Sequence, residues 1–270
     1  MIAALIVAFV GAAPENLAAT LRAVAARYYQ SAGQVAAVAG RDATMDYYDR
    51  LLDDAELVSQ SSADPRLTQR WRESATAASQ LDLSLAMQLM ERSYPPMASI
   101  RGLGESLVRS SKDGTMQPVS VYVPTQYSAP KPAALIVFLH GNQETESQLL
   151  SAPYLRELAE STGTIVVAPY GRGAYDFRGA ESDVYDAFDA ASQAFAIDAR
   201  KRYLAGYSMG GFSVFSLAPI HPDDWSAIMS IAGSLLQSRA SQLLVRMPAN
   251  VRYYILTGAL DRTVPTLWPT

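Results

Sequence analysis

The sequence predicts an α/β protein: a doubly wound, mostly parallel sheet with an antiparallel N-terminal hairpin, preceded by an α-helical segment. Three observations predict it. Short apolar runs, Ala133 to Leu139 (AALIVFL) and Thr164 to Ala168 (TIVVA), with Val251 to Thr257 (VRYYILT) as the last strand, alternate with stretches of helical periodicity. Strands apolar throughout are what a parallel sheet covered on both faces requires. Lys112-Asp113-Gly114-Thr115 joins two β-rich stretches, which is a hairpin signal. Before Tyr94-Pro95-Pro96 the apolar spacing is helical.

Composition bounds the function. The 270 residues are 49% hydrophobic and 18% charged, with a net charge of −4, so the chain buries a large core and is not disordered. No cysteine excludes a disulfide framework, a thiolate metal site and a cysteine nucleophile. Two histidines leave little for a histidine-built metal site. No metal and no organic cofactor is implied. The mildly acidic balance argues against nucleic acid as a partner. Met1 to Ala13 is an uncharged apolar run, too short to span a bilayer. It fits a signal peptide over residues 1–12, but the basic start is missing, and it equally fits a buried helix. Secreted, periplasmic and cytoplasmic locations all stay open, and no other segment is a membrane span.

In chain order, Leu17, Leu21, Val24 and Tyr28 mark a first helix after Pro14. A second includes Tyr47, Tyr48, Leu51, Leu52 and Leu57, with Asp53-Asp54-Ala55-Glu56 expected on its solvated face. A third is expected from Asp64 as N-cap and Pro65 at the first helical position, with a stripe of Leu67, Trp71, Leu81, Leu85 and Leu89. These helices over residues 1–97 fit either a lid over a cleft or a packing appendage. Glu105 to Ser111 and Met116 to Pro124 form the hairpin, where Val119, Val121 and Val123 alternate with Ser120 and Tyr122. The strand Ala133 to Leu139 ends at His140-Gly141. Ser147 to Ser161 reads as one helix, Thr164 to Ala168 as a strand, and Asp183 to Ile197 as an amphipathic helix. Arg202 to Ala205 is a strand, Met209 to Ala218 a helix, and Ala227 to Ala232 and Val251 to Thr257 are strands.

The chemistry concentrates in RYLAGYSMGG, Arg202 to Gly211. Gly206-Tyr207-Ser208-Met209-Gly210 matches G-x-S-x-G directly between a strand and a helix, the context that gives the motif meaning. A serine on that sharp turn needs small neighbours, and Gly206, Gly210 and Gly211 supply the clearance. The turn exposes the hydroxyl at the carboxyl end of the sheet and aims the Met209 N–H at a developing oxyanion. His140-Gly141-Asn142 follows the first strongly apolar strand, where backbone N–H groups of Gly141 and Asn142 can act as a second donor. His140 is then a turn residue, and with Tyr207 it is a candidate pocket residue. Asp261, just after the last strand, can orient a triad imidazole.

Ala133 to Pro265 resembles the α/β-hydrolase superfamily. It is most similar to its feruloyl-esterase-like and polyhydroxybutyrate-depolymerase-like esterases, near the prolyl-oligopeptidase-type catalytic domain. The resemblance rests on His140-Gly141, Ile197-Asp198, Arg202-Tyr203-Leu204, Gly206 to Gly211 and Gly258 to Pro265. It implies Ser208 as nucleophile, Asp261 as triad acid, oxyanion donors at Met209 and near Gly141-Asn142, and a small-molecule ester as substrate.

The chain departs from the family at the base. The triad order is Ser, then acid, then His, yet no histidine follows Asp261. The other histidine, His221, lies beyond the helix that follows Ser208 and is expected on the far side of the sheet. The expectation is a hydrolase domain over residues 98–270 without its eighth strand and last helix. Truncation, a pseudo-enzyme or a base from a partner chain would each produce this pattern. Strand 251–257 is then an exposed edge open to self-association. Three activities compete: a serine carboxylic-ester hydrolase with low or absent turnover, a non-catalytic binding module using the hydrolase cleft, and a prolyl-oligopeptidase-type serine peptidase. No propeller-like repeat precedes the region, which weighs against the last.

Overall fold

The computed structural model describes residues 14–172, 177, 179–233 and 251–261. The signal-peptide reading of residues 1–12 and the expectations beyond Asp261 lie outside the described residues. Four helices come first: α1 (Pro14–Gln30), α2 (Ala32–Ala39), α3 (Arg41–Ala63) and α4 (Gln69–Met90). Leu17, Leu21 and Tyr28 of α1 meet Tyr47, Leu51 and Val58 of α3 and Leu85 and Leu89 of α4 in one core. Here the helical periodicity does what a buried stripe should.

Three expectations for this segment need correction. Asp64 ends α3 as its C-cap and does not open the next helix. Its carboxylate accepts from the Arg66 N–H at 2.9 Å and from the Arg66 side chain, a local turn that competes with capping. The cap of α4 is Thr68, whose hydroxyl accepts from the Trp71 N–H at 3.2 Å. Trp71, expected on the apolar stripe, therefore sits on the first turn and is 40% exposed. Asp54, expected on a solvated face, is 3% exposed and faces inward.

The strands are β1 (Gly102–Arg109), β2 (Met116–Val123), β3 (Ala133–Leu139), β4 (Thr164–Pro169), β5 (Ile197–Tyr207), β6 (Ala227–Ile231) and β7 (Arg252–Leu256). They form one sheet in the order β1-β2-β4-β3-β5-β6-β7. β2 is antiparallel to β1 and β4, and the remaining pairs are parallel. The flanking helices are α5 (Glu146–Leu150), α6 (Pro153–Thr162), α7 (Glu181–Ala194) and α8 (Met209–Leu217). The single helix expected over Ser147 to Ser161 is two, because Pro153 lacks an N–H and starts α6.

Helices cover both faces of the central strands, as their apolar sequences require, while β7 is largely exposed. Val121, Leu135, Val137 and Leu204 pack on Val184 and Phe188 of α7 and Val214 of α8. Tyr122, Phe138, Val166 and Ala205 pack on Leu149 and Leu150 of α5 and Leu155 and Ala159 of α6. Ser120 and Tyr122 are thus buried despite their alternation with valines. Leu107 of β1 and Met116 of β2 join the helical core, so α1–α4 pack on the hairpin end of the sheet. Leu139 pairs with Gly206, Tyr207 with Ile231, and Ile231 with Leu256. The carboxyl ends of β3, β5, β6 and β7 therefore share one edge. The turns that follow them carry the chemistry, as in open α/β sheets generally.

Candidate active site

Ser208 joins β5 to α8 with φ +50° and ψ −114°. Such a backbone costs an L-residue of order 1–3 kcal/mol and persists only where its surroundings enforce it. The enforcement is visible. The Ser208 N–H donates to Ile231 O at 2.8 Å, and the Gly210 N–H donates to His140 O at 3.1 Å. A Cβ on Gly206 would lie 2.2 Å from Gly210 O, and one on Gly210 would lie 2.3 Å from Leu139 O, so neither position admits a side chain. A helix-starting serine normally turns its hydroxyl back to cap the helix. Ser208 makes no such cap bond. The Met209 N–H is in the first turn, where no intrahelical acceptor exists and the helix end is electropositive.

The His140 turn lies beside this elbow, tied to it through the His140 carbonyl. Its imidazole is wholly buried: Nδ1 is 2.9 Å from Gly141 O and Nε2 is 2.9 Å from Tyr170 O. The ring stands 4.9 Å from that of Phe177. His140 is therefore a brace under the turn and not a pocket wall, since both ring nitrogens face carbonyls. Gly141 also differs from expectation. Its N–H donates to Glu144 Oε2 at 2.9 Å, so the turn's own carboxylate occupies that donor. Asn142, exposed at the tip, has no backbone partner recorded among the described residues. Burial pushes the Glu144 carboxyl above its ordinary value, opposed by the Gly141 bond and the neighbouring His140.

Tyr207, expected at a pocket, is half-exposed beside Gly141. It stands with Tyr154 at one end of a groove of about 1460 Å³, lined also by Phe138, Tyr203, Met229 and Tyr254, whose lining excludes Ser208. Asp261 closes a turn beyond β7, its N–H donating to Gly258 O at 3.0 Å. It lies at the same sheet edge as Ser208, two strands from β5. His221 lies past the far end of α8, with its ring 4.4 Å from that of Tyr185. The nine residues of α8 span about 13 Å, so His221 is remote from the elbow.

One cluster near the turn escaped the sequence reading. Arg50 of α3, 5% exposed, donates to both Glu146 oxygens at 2.6 and 3.0 Å. Its Nε is 2.6 Å from Asp46, and its Nη1 is 3.6 Å from Asp82 and 3.7 Å from Glu105. Burial raises Asp54 and Glu105 well above ordinary carboxylates, with Asp82 adding to both, and lifts Asp82 to about 6 against the pull of Arg50. An arginine flanked by Asp46, Asp49, Asp53 and Asp54 on one helix reads as a surface residue. Only the fold brings Asp82, Glu105 and Glu146 around it. Among the described residues no group of side chains has the geometry of a metal site, and no helix is long and apolar enough to cross a membrane.

A curated relative, the bifunctional acetylxylan esterase/xylanase of Neocallimastix patriciarum, is 28% identical over 109 residues. That match covers 38% of this chain, and the chain spans only 16% of the relative's length. Among solved structures, the acetyl xylan esterase of Aspergillus awamori aligns at TM-score 0.48 and 17% identity, covering 60% of this chain and 74% of that one. A fluorophosphonate-binding serine hydrolase of Staphylococcus aureus aligns at TM-score 0.42 and 17% identity, covering 51% and 59%. The esterase family model, described as "Putative esterase", matches residues 110–268, more than half of the chain, from the hairpin turn after β1 through the Ser208 elbow to beyond Asp261. With its mixed, mostly parallel sheet and its strand-to-helix serine, the chain belongs to this esterase family.

Proposed function

We propose that the protein is a serine carboxylic-ester hydrolase in which Ser208 is the nucleophile. The observation that carries this reading is the Ser208 backbone, held at φ +50° with its hydroxyl released from capping duty. Ser208 Oγ adds to the ester carbonyl carbon and its proton leaves. The oxyanion draws on the Met209 N–H and the Asn142 N–H, Gly141 being engaged by Glu144. The tetrahedral species expels the alcohol, leaving an acyl-enzyme, and water releases the acid. Asp261 is the triad acid by position. Neither His140, whose ring nitrogens face backbone carbonyls, nor His221, beyond the far end of α8, is placed to take the serine's proton. Loss of one triad member costs about 10⁴–10⁶ in kcat. Acetylated xylan is the substrate class suggested by the name of the curated relative.

The missing base favours one second reading, a binding module that uses the same cleft without turnover. p-Nitrophenyl acetate separates the two. Hydrolysis by the whole chain that disappears in Ser208→Ala supports the hydrolase. Hydrolysis equal in the two proteins supports the binding module.

A further inference from the structure

Arg50 lies outside the residues matched by the family, yet its guanidinium touches both elements that support the His140 turn. Its fork grips Glu146, the first residue of α5, which directly follows the turn. The grip is reinforced at the same place, because Thr145 and Gln148 form a reciprocal cap and Ser147 Oγ donates to Asp82 at 3.2 Å. Its plane also lies over the Tyr170 ring, 4.1 Å from the centroid. The Tyr170 carbonyl faces His140 Nε2, and the His140 carbonyl accepts from Gly210 in the elbow. Two contiguous routes therefore run from α3 to the turn beside Ser208, through Glu146 and through Tyr170. Arg50, Glu146 and His140 are all buried, so solvent screens none of these contacts.

The chemistry at this seam suits alignment better than stability. A buried guanidinium must offset its lost hydration, and replacing such groups by apolar ones is often neutral or stabilising. A bidentate fork fixes direction as well as distance, which a lysine ammonium does not. Backbone donors that stabilise an oxyanion work only when their geometry is set in advance. Resting on the reading of Ser208 as nucleophile, we propose that Arg50 is a positioning residue. It clamps Glu146 and Tyr170 so that the His140–Asn142 turn stays in register with Ser208.

The test uses the whole chain carrying Arg50→Lys or Glu146→Gln, each first checked for folding by circular dichroism. Two readouts follow. The ¹⁵N imidazole signals of His140 and His221 are compared, His221 serving as internal control because it is remote from the seam. A fluorophosphonate then phosphonylates Ser208: an Oγ–P bond forms, the P–F bond breaks, and fluoride and a proton leave. Its limiting rate and half-saturating concentration are measured. The expected result is a shift of the His140 signals alone. The limiting rate falls by at least about 10-fold, and half-saturation stays within about two-fold. Folded variants with unmoved His140 signals and an unchanged limiting rate overturn the proposal, as do equal shifts at both histidines. If Arg50→Lys does not fold, Glu146→Gln alone decides. If Ser208 takes no label even in the unsubstituted chain, the nucleophile reading fails, while the imidazole signals still decide whether Arg50 holds the turn.

Discussion

At Ser208 the backbone and the chemistry make opposite demands. The φ of +50° that frees the hydroxyl is one that glycine adopts without steric cost. Ser208→Gly is therefore expected to raise stability by about 1 kcal/mol in urea denaturation, the relieved strain exceeding the added chain entropy, while abolishing reaction with a fluorophosphonate. A less stable glycine variant would mean that the serine side chain, and not the turn, holds the elbow. The identities at this scale were legible in the sequence, because G-x-S-x-G between a strand and a helix has a steric reason for each glycine. The hydrogen-bond partners were not. Nothing local hides the His140 ring beneath its own turn, since that depends on how β3 and the end of β4 converge.

Among the elements, the strands were read closely and the helical seams less so. Apolar runs locate strands because both faces of the sheet are covered, whereas helix starts depend on one side chain choosing between cap and turn. Asp64 chose the turn. The seam between α3, α4, β1 and α5 makes a pH prediction. Asp46, Asp54, Asp82 and Glu105 are all raised by burial, so the folded chain holds protons that the unfolded chain has released above about pH 4–5. Their stabilising contribution is complete below the unfolded values and is lost as pH rises through the folded ones, Asp82 at about 6 and the others in turn. The exposed carboxylate of Asp113, held low by Arg172, acts in the opposite sense below that window. Glu105→Gln should then flatten the fall of stability as pH rises above the ordinary carboxylate range. An unchanged slope in urea titrations would place Glu105 outside the proton balance. At the sheet edge, β7 pairs with β6 alone among the described residues, and Ile255 is 46% exposed. We infer pairing between two copies along this edge. Sedimentation velocity should show a mass that grows with concentration, and Ile255→Lys should reduce that growth.

For the whole molecule, α1–α4 share a core with the hairpin and send Arg50 to the active-site turn, so the residues before the family match belong to the same physical unit. Residues 98–270 expressed alone would leave Glu146 without its cation and should be recovered insoluble or unfolded by circular dichroism, the loss of a buried partner costing about 3–5 kcal/mol. The central claim is that this fold presents Ser208 as an acyl-accepting nucleophile despite the absence of a histidine beside it. Prolonged reaction of the whole folded chain with a fluorophosphonate, read by intact mass and peptide mapping, tests it most directly. One adduct is expected, on Ser208, that forms faster with added imidazole and is absent from Ser208→Ala and from the urea-unfolded chain. No adduct with or without imidazole, or one on another residue, would contradict it.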